Sequence, residues 1–150
     1  MPLDWSGQSA PKGRPFLYDV LVIGGGPVGS QVAYRLSTAG RKVAVVEQTD
    51  LYCPVCCTGI VSEECVREYE IDETVIRRYV NGAFLYSPSG RVIRLYRNEP
   101  QAAVLDRPAF NALMAARARS CGADYFKGAR VTDVAIADEH VTIRCGDGQP

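Results

Sequence analysis

Residues Tyr18 to Gln48 read YDVLVIGGGPVGSQVAYRLSTAGRKVAVVEQ, and this stretch decides the fold. Asp19 to Ile23 is nearly all apolar and rich in β-branched side chains, the pattern of a strand buried on both faces of a parallel sheet. A turn follows at once, Gly24-Gly25-Gly26-Pro27-Val28-Gly29, with Gly24, Gly26 and Gly29 in the G-x-G-x-x-G positions. The first glycine permits the tight turn, the second lets backbone approach a pyrophosphate, and the third lets helix and strand pack closely. Pro27 suits the first turn of a helix, where its missing N–H has no partner to lose. The helix is predicted to present Val28, Val32, Leu36 and Ala39 to the core, with Ala33 beside them, and to stop at Gly40. Lys42 to Val46 then forms a second strand, with Glu47 and Gln48 at its end.

Free N–H groups at the start of that helix, with a dipole worth about half a positive charge, make an anion site for two phosphates. Glu47 stands 18 residues after Gly29, where a carboxylate can accept hydrogen bonds from both hydroxyls of a ribose. Its charge would repel a 2′-phosphate, which argues against NADP at this site. A glycine motif alone is weak. One that follows a strand, opens a helix and meets an acid at this spacing reads as an adenine-dinucleotide site, not a structural turn.

Working outward, 150 residues allow one ordinary domain or part of a larger one. The 17 basic and 17 acidic residues cancel, so nothing indicates a nucleic-acid partner. No apolar run approaches the ~20 residues of a membrane span. Residues 1–15, with prolines and glycines but no hydrophobic segment, are expected to form a disordered tail and not a signal peptide. Without a signal, the expected setting is the cytoplasm, where the six cysteines should mostly be thiols.

Beyond Gln48 a loop runs to Ile60 through Cys53, Cys56, Cys57, Thr58 and Gly59. Ser62 is placed to cap a short helix, and Asp72 another that runs through Val75, Ile76 and Tyr79. Asn81–Tyr86 and Val92–Tyr96 form a hairpin about Ser87-Pro88-Ser89-Gly90, and Ala102–Leu105 a further strand. The hairpin aromatics Phe84, Tyr86 and Tyr96 are candidates to line an apolar pocket, although strand aromatics usually pack a core. Asp106 caps an amphipathic helix with Phe110, Leu113, Met114, Ala118 and Cys121 on one face and Asn111, Arg117 and Arg119 turned away. Asp124–Lys127 fits a third parallel strand, Val131–Ala137 and Val141–Arg144 a hairpin, and Cys145-Gly146-Asp147-Gly148 another hairpin turn.

About 60 residues, a hairpin among them, separate Glu47 from the amphipathic helix, far more than an ordinary crossover. Such an insertion suits FAD, whose ribityl chain and ring need extra walls. The fold class is therefore α/β: a Rossmann-like FAD/NAD(P)-binding parallel sheet with an inserted β-hairpin and short helices. Residues 16–150 form the N-terminal part of that domain, with its closing strand and a substrate domain expected outside the chain.

Three segments carry a family resemblance: DVLVIGGGPVGS with VVEQ; PVCCTGIVSEEC; and YSPSG with VLDRPAFNALMAARARSCGA. Through them the chain, from Tyr18 to about Val134, resembles the geranylgeranyl reductase family, among the flavoproteins shaped like p-hydroxybenzoate hydroxylase. The resemblance implies non-covalent FAD and reduction of isolated C=C bonds in prenyl chains. It implies that Gly24, Gly26 and Gly29 hold the pyrophosphate and Glu47 the adenosine ribose, with Pro27, Val28 and Gln48 also among the cofactor-binding residues. Arg107 would reach the pyrophosphate or ribityl region, and backbone around Val131 would flank the adenine. Cys57, Thr58 and Gly59 would lie by the ribityl chain and isoalloxazine. Relatives often carry P-V-R-C-G-E-G in the cysteine segment; here Cys56 replaces the Arg and one residue is missing before Gly59, so no role of that Arg is transferred.

The two well-spaced ligand pairs of a structural zinc site are absent around Cys53, Cys56, Cys57 and Cys65, so no metal is expected. Cys57 is a candidate to tune or gate flavin chemistry, with Cys53 or Cys56 able to pair with it; plain loop thiols are the competing reading. Arg107 has as its competing reading a salt bridge to Glu63 or another acid. The expected activity is hydride transfer from reduced flavin to a prenyl-lipid alkene, with NAD(P)H or ferredoxin as donor and a peripheral membrane contact. The alternatives are a monooxygenase or halogenase of the same fold, and a truncated, inactive dinucleotide-binding fragment.

Overall fold

Four consecutive apolar residues, Val43 to Val46, form the most deeply buried strand of the chain, and the parallel sheet is assembled around it. The computed structural model describes residues 17–51 and 56–147. In chain order the elements are β1 (Val20–Ile23), α1 (Pro27–Thr38), β2 (Val43–Glu47), β3 (Ile60–Ser62), α2 (Glu63–Glu68) and β4 (Ile76–Val80). They continue with β5 (Gly82–Tyr86), β6 (Val92–Tyr96), β7 (Ala102–Leu105), α3 (Arg107–Ser120), β8 (Asp124–Lys127), β9 (Ala129–Ile136) and β10 (Val141–Asp147). The chain divides into two compact units, one made of residues 1–53 and 111–150 and the other of residues 54–110. The tail expected over residues 1–15 lies outside the described residues.

In the first unit β1, β2 and β8 form a parallel sheet with β2 in the middle. The sequence predicts burial of β1 on both faces, but among the described residues β1 has a neighbour on one side only and Ile23 is 55% exposed. The all-apolar pattern marks β2 as the strand with two neighbours. Ala33, Val43, Val45, Ala118 and Ala123 make the core, with Val22, Tyr34, Leu36 and Tyr125 packed against it. The predicted stripe of α1 needs correction: Val28 is 79% exposed and Val32 is also exposed, whereas Ser30, Ala33 and Ser37 are buried. Small side chains at i, i+3 and i+7 let the helix lie close on the sheet, and they displace the larger valines to its outer side. Gly40, at φ +78°, ends α1 in a Schellman arrangement, its N–H bonding Ser37 O and that of Arg41 bonding Leu36 O.

Asn111, expected on the polar side of α3, is buried at 6% exposure, and its Oδ1 finds no partner among the described residues. Ala112, Met114, Ala115 and Ala118 are buried with it, so the covered face of α3 is broader than one stripe. The turn expected over residues 145–148 is also overturned for its described part. Cys145, Gly146 and Asp147 extend β10 and pair with Val131, Arg130 and Ala129, after a register shift between Arg144 and Cys145. The extra residue at that bulge is Thr132 on β9, and Gly146, which had suggested a turn, is paired within the ladder.

The second unit holds an antiparallel sheet in the order β3-β7-β4 and a separate hairpin of β5 and β6. Ser62 caps α2 as expected, accepting from Cys65 N–H at 3.1 Å. Asp72 caps only a single 3-10 turn, Glu73–Val75, and the helix predicted through Ile76 and Tyr79 is instead β4. Ile76, Tyr79 and Val80 favour a pleated strand, and pairing to β7 satisfies their backbone. Every residue of β5 and β6 is exposed, Phe84, Tyr86 and Tyr96 included, so the hairpin aromatics pack no core among the described residues.

Candidate functional site

The first unit presents a glycine turn between β1 and α1. Gly24 N–H bonds Val46 O at 2.9 Å, tying the turn to the middle strand. Ser30 N–H closes the first helical bond on Gly26 O at 2.8 Å. Gly26 is the N-cap and offers no side-chain cap, so the amides of Gly26, Val28 and Gly29 have no partner within the helix. A side chain at Gly24 or Gly26 would meet nothing within 4 Å, so both positions open onto free space. A Cβ on Gly29 would fall 1.9 Å from Gly24 O, so this glycine is required by close approach of turn and helix.

Glu47 ends β2 beneath this turn, half-buried. Its Oε2 accepts from Gly25 N–H at 2.7 Å; its Oε1 accepts from Thr49 N–H and Thr49 Oγ1, both at 2.8 Å. A carboxylate has about four acceptor positions. Three are filled by protein, which leaves one acceptor position open. Glu47 thus braces the glycine turn as well as facing a cavity of about 210 Å³ lined by Gly24, Glu47, Gln48, Arg130 and Val131 among others. Gln48 and Val131 line the same cavity as the turn residue Gly24. Arg130 and Thr49 had no signal in the sequence beyond adjacency to those positions.

Cys57, Thr58, Gly59 and Arg107 belong to the second unit. Gly59 is buried at φ +73°, and a Cβ there would fall 2.6 Å from Leu105 O and 3.1 Å from Arg107 Cγ. Cys57 Sγ accepts from Gly59 N–H at 3.4 Å, so Cys57, Gly59 and the stem of Arg107 form one cluster. The Arg107 guanidinium lies 5.6 Å from the Phe110 ring centroid, and its buried Nε finds no hydrogen-bond partner among the described residues. Among the described residues Arg107 makes no ion pair with Glu63 or another acid; the adjacent Asp106 accepts from Arg77 at 2.6 Å through Oδ2 and caps Ala109 N–H through Oδ1.

Cys56, Cys57 and Thr58 are exposed, and both thiols are free. Cys53, the other proposed partner of Cys57, lies outside the described residues. Burial, and secondarily Glu68, push the Cys65 thiol above its usual range, which favours the unreactive form. Among the described residues no three His, Cys, Asp or Glu side chains gather as metal ligands, and no helix is long and apolar enough to cross a membrane.

A turn with uncapped amides, an acid on the adjoining strand and a cavity beside it define a dinucleotide-binding fold. The family profile of FAD dependent oxidoreductases matches residues 19–65. Digeranylgeranylglycerophospholipid reductase of Methanosarcina mazei is 33% identical over 129 residues, 83% of this chain and 32% of that protein. Geranylgeranyl diphosphate reductase of Rhodobacter capsulatus is 29% identical over 111 residues, 74% of this chain and 28% of that protein. A geranylgeranyl bacteriochlorophyll reductase-like structure from Thermoplasma acidophilum superposes with a TM-score of 0.77 at 31% identity, covering 87% of this chain and 35% of that one. A flavin-dependent halogenase at 14% identity and TM-score 0.66 shares the fold alone. Residues 19–65 thus match the FAD-dependent oxidoreductase family, and the chain is similar to geranylgeranyl reductases. It spans about a third of the length of the curated relatives it matches. FAD is the cofactor of this family, and the open amides and cavity of the first unit fit its adenosine diphosphate portion.

Proposed function

We infer that the chain supplies the FAD-binding part of an oxidoreductase that saturates C=C bonds in geranylgeranyl or related polyprenyl groups. The observation that carries this reading is the 33% identity, over 83% of the chain, to a reductase of digeranylgeranyl lipids. Bound FAD supplies the hydride for such a reaction. The amides of Gly26, Val28 and Gly29 hold the diphosphate, with Gly24 and Pro27 shaping the turn. Glu47 and Gln48 take the ribose, and backbone at Val131 flanks the adenine. In the second unit Arg107 contributes a planar, permanently charged donor for phosphate or ribityl oxygens. Cys57, Thr58 and Gly59 serve the ribityl and ring portion, with Cys57 as the residue that tunes flavin reactivity. The substrate is a prenyl lipid and the electron donor NAD(P)H or a ferredoxin. The site of action is cytoplasmic, at a membrane surface where such lipids reside.

The test begins with FAD titration of the purified protein under anaerobic conditions. Reduced protein is then offered a geranylgeranyl lipid, and product mass should rise by two hydrogens for each bond reduced. Glu47→Gln should raise the FAD dissociation constant about tenfold, since a charged acceptor is replaced by a neutral one. Rapid reoxidation in air with hydroxylation or halogenation of substrate, and no saturated lipid, would transfer the chain to the oxygen-activating flavoproteins.

A further inference from the structure

The glycine turn contains three consecutive glycines, so sterics alone do little to fix the orientation of the Gly25–Gly26 peptide. The structure fixes it from behind. Ser30, fully buried on α1, donates its hydroxyl to Gly25 O at 3.0 Å. That hydroxyl has one proton, and it is spent on Gly25, so the Ser30 oxygen accepts from elsewhere. Tyr125 on β8 donates to it, O–H to Oγ, at 3.0 Å. Tyr125 also packs its ring against the core of the first unit, so the donor is held by a rigid strand. On the other side of the turn Gly25 N–H is held by Glu47 Oε2. In a trans peptide C=O and N–H point in opposite directions. Drawing Gly25 O inward to Ser30 therefore turns Gly26 N–H away from Ser30, and a Cβ on Gly26 would meet nothing within 4 Å, so the turn is open at that residue.

We propose that Tyr125 and Ser30 form a positioning relay that sets the Gly25–Gly26 peptide so that Gly26 N–H addresses the diphosphate of FAD. This rests on the flavin reading given above. Neither side chain touches the cofactor; both act through the turn. The hydroxyl order is directional, Tyr125 to Ser30 to Gly25 O, so loss of the phenol oxygen leaves Ser30 Oγ buried without its donor and free to rotate. Burial raises the Tyr125 phenol above its usual pKa, which keeps it a donor well past neutral pH.

The experiment is a double-mutant cycle on FAD affinity in the purified apo-protein, with Tyr125→Phe, Ser30→Ala and the pair, each removing one oxygen atom per site. Ser30→Ala should raise the FAD dissociation constant about tenfold and Tyr125→Phe about threefold, with the double variant no weaker than Ser30→Ala alone. The amide resonance of Gly26 in the apo-protein should shift in both single variants, a signature that loss of stability alone would not produce. Unchanged affinity in the variants, or an equal effect of Tyr125→Phe in both backgrounds, overturns the relay while the flavin reading stands. A wild-type protein that takes up no FAD overturns the flavin reading and the relay together.

Discussion

Val43–Val46 of β2 and Val92–Tyr96 of β6 are both short, apolar strands, yet one is sealed and the other bare. The β2 valines and Ala44 are buried beneath paired strands and α1, whereas each residue of β6 and of its partner β5 is exposed. A single hairpin buries no face of its own, because stability in water needs a third strand or a helix laid across it. The stability of the β1-β2-β8 sheet comes from side-chain packing. In the β5-β6 ribbon it rests on the ladder of backbone bonds and on local contacts such as Arg94 over the Phe84 ring, 5.6 Å from its centroid. Apolar content alone thus does not tell a core strand from an uncovered one; pairing partners do.

The sharpest way to break this contrast is to disturb the close-packed glycines. Gly29→Ala should abolish FAD uptake and cost about 3 kcal/mol in urea unfolding, because its Cβ collides with Gly24 O and no side chain can yield. Gly59→Ala, in the second unit, meets Leu105 O and a left-handed backbone. It should cost about 2 kcal/mol, read as a drop in protection of the β3-β7 amides in hydrogen exchange. A smaller effect is expected from pH. Burial, then the hydrogen bond to Asp124, raises the Tyr18 phenol to about 12 from 10. Its contribution is complete below pH 10 and is lost as pH climbs through 12, because the unfolded chain gives up the proton first. Tyr18→Phe should flatten the fall in stability over that window. The smallest effect belongs to the ribbon: Leu95→Ser should change unfolding free energy by no more than about 0.5 kcal/mol, and a larger loss would show that this side chain is covered in solution.

The glycine spacing, Pro27, the acid at the end of β2 and the caps at Ser62, Asp72 and Asp106 were legible because each is a local rule, satisfied within a few residues. The same holds for both hairpins and for β7 and β8. What escaped depends on partners distant in sequence. Whether Val28 or Ser30 faces inward is set by how near α1 can approach β1 and β2, and alternating small residues carry no hydrophobic signal. Ile76–Val80 reads as the continuation of a capped helix until β7 is available to pair with it. The double duty of Glu47 arises when the end of β2 lies under a turn 22 positions earlier, and the link from Tyr125 to Ser30, across 95 positions, only when β8 joins the sheet.

The middle position of β2 also limits how this chain can vary over time. Val43–Val46 is paired on one edge with β1, and Ala44–Glu47 on the other with β8. Because side chains alternate from face to face, gaining or losing one residue between Lys42 and Glu47 would invert the whole segment and swing the carboxylate to the wrong side of the sheet. Length changes should therefore accumulate in the stretch after Thr49 and be purged from this one, a footprint that related genomes can be searched for.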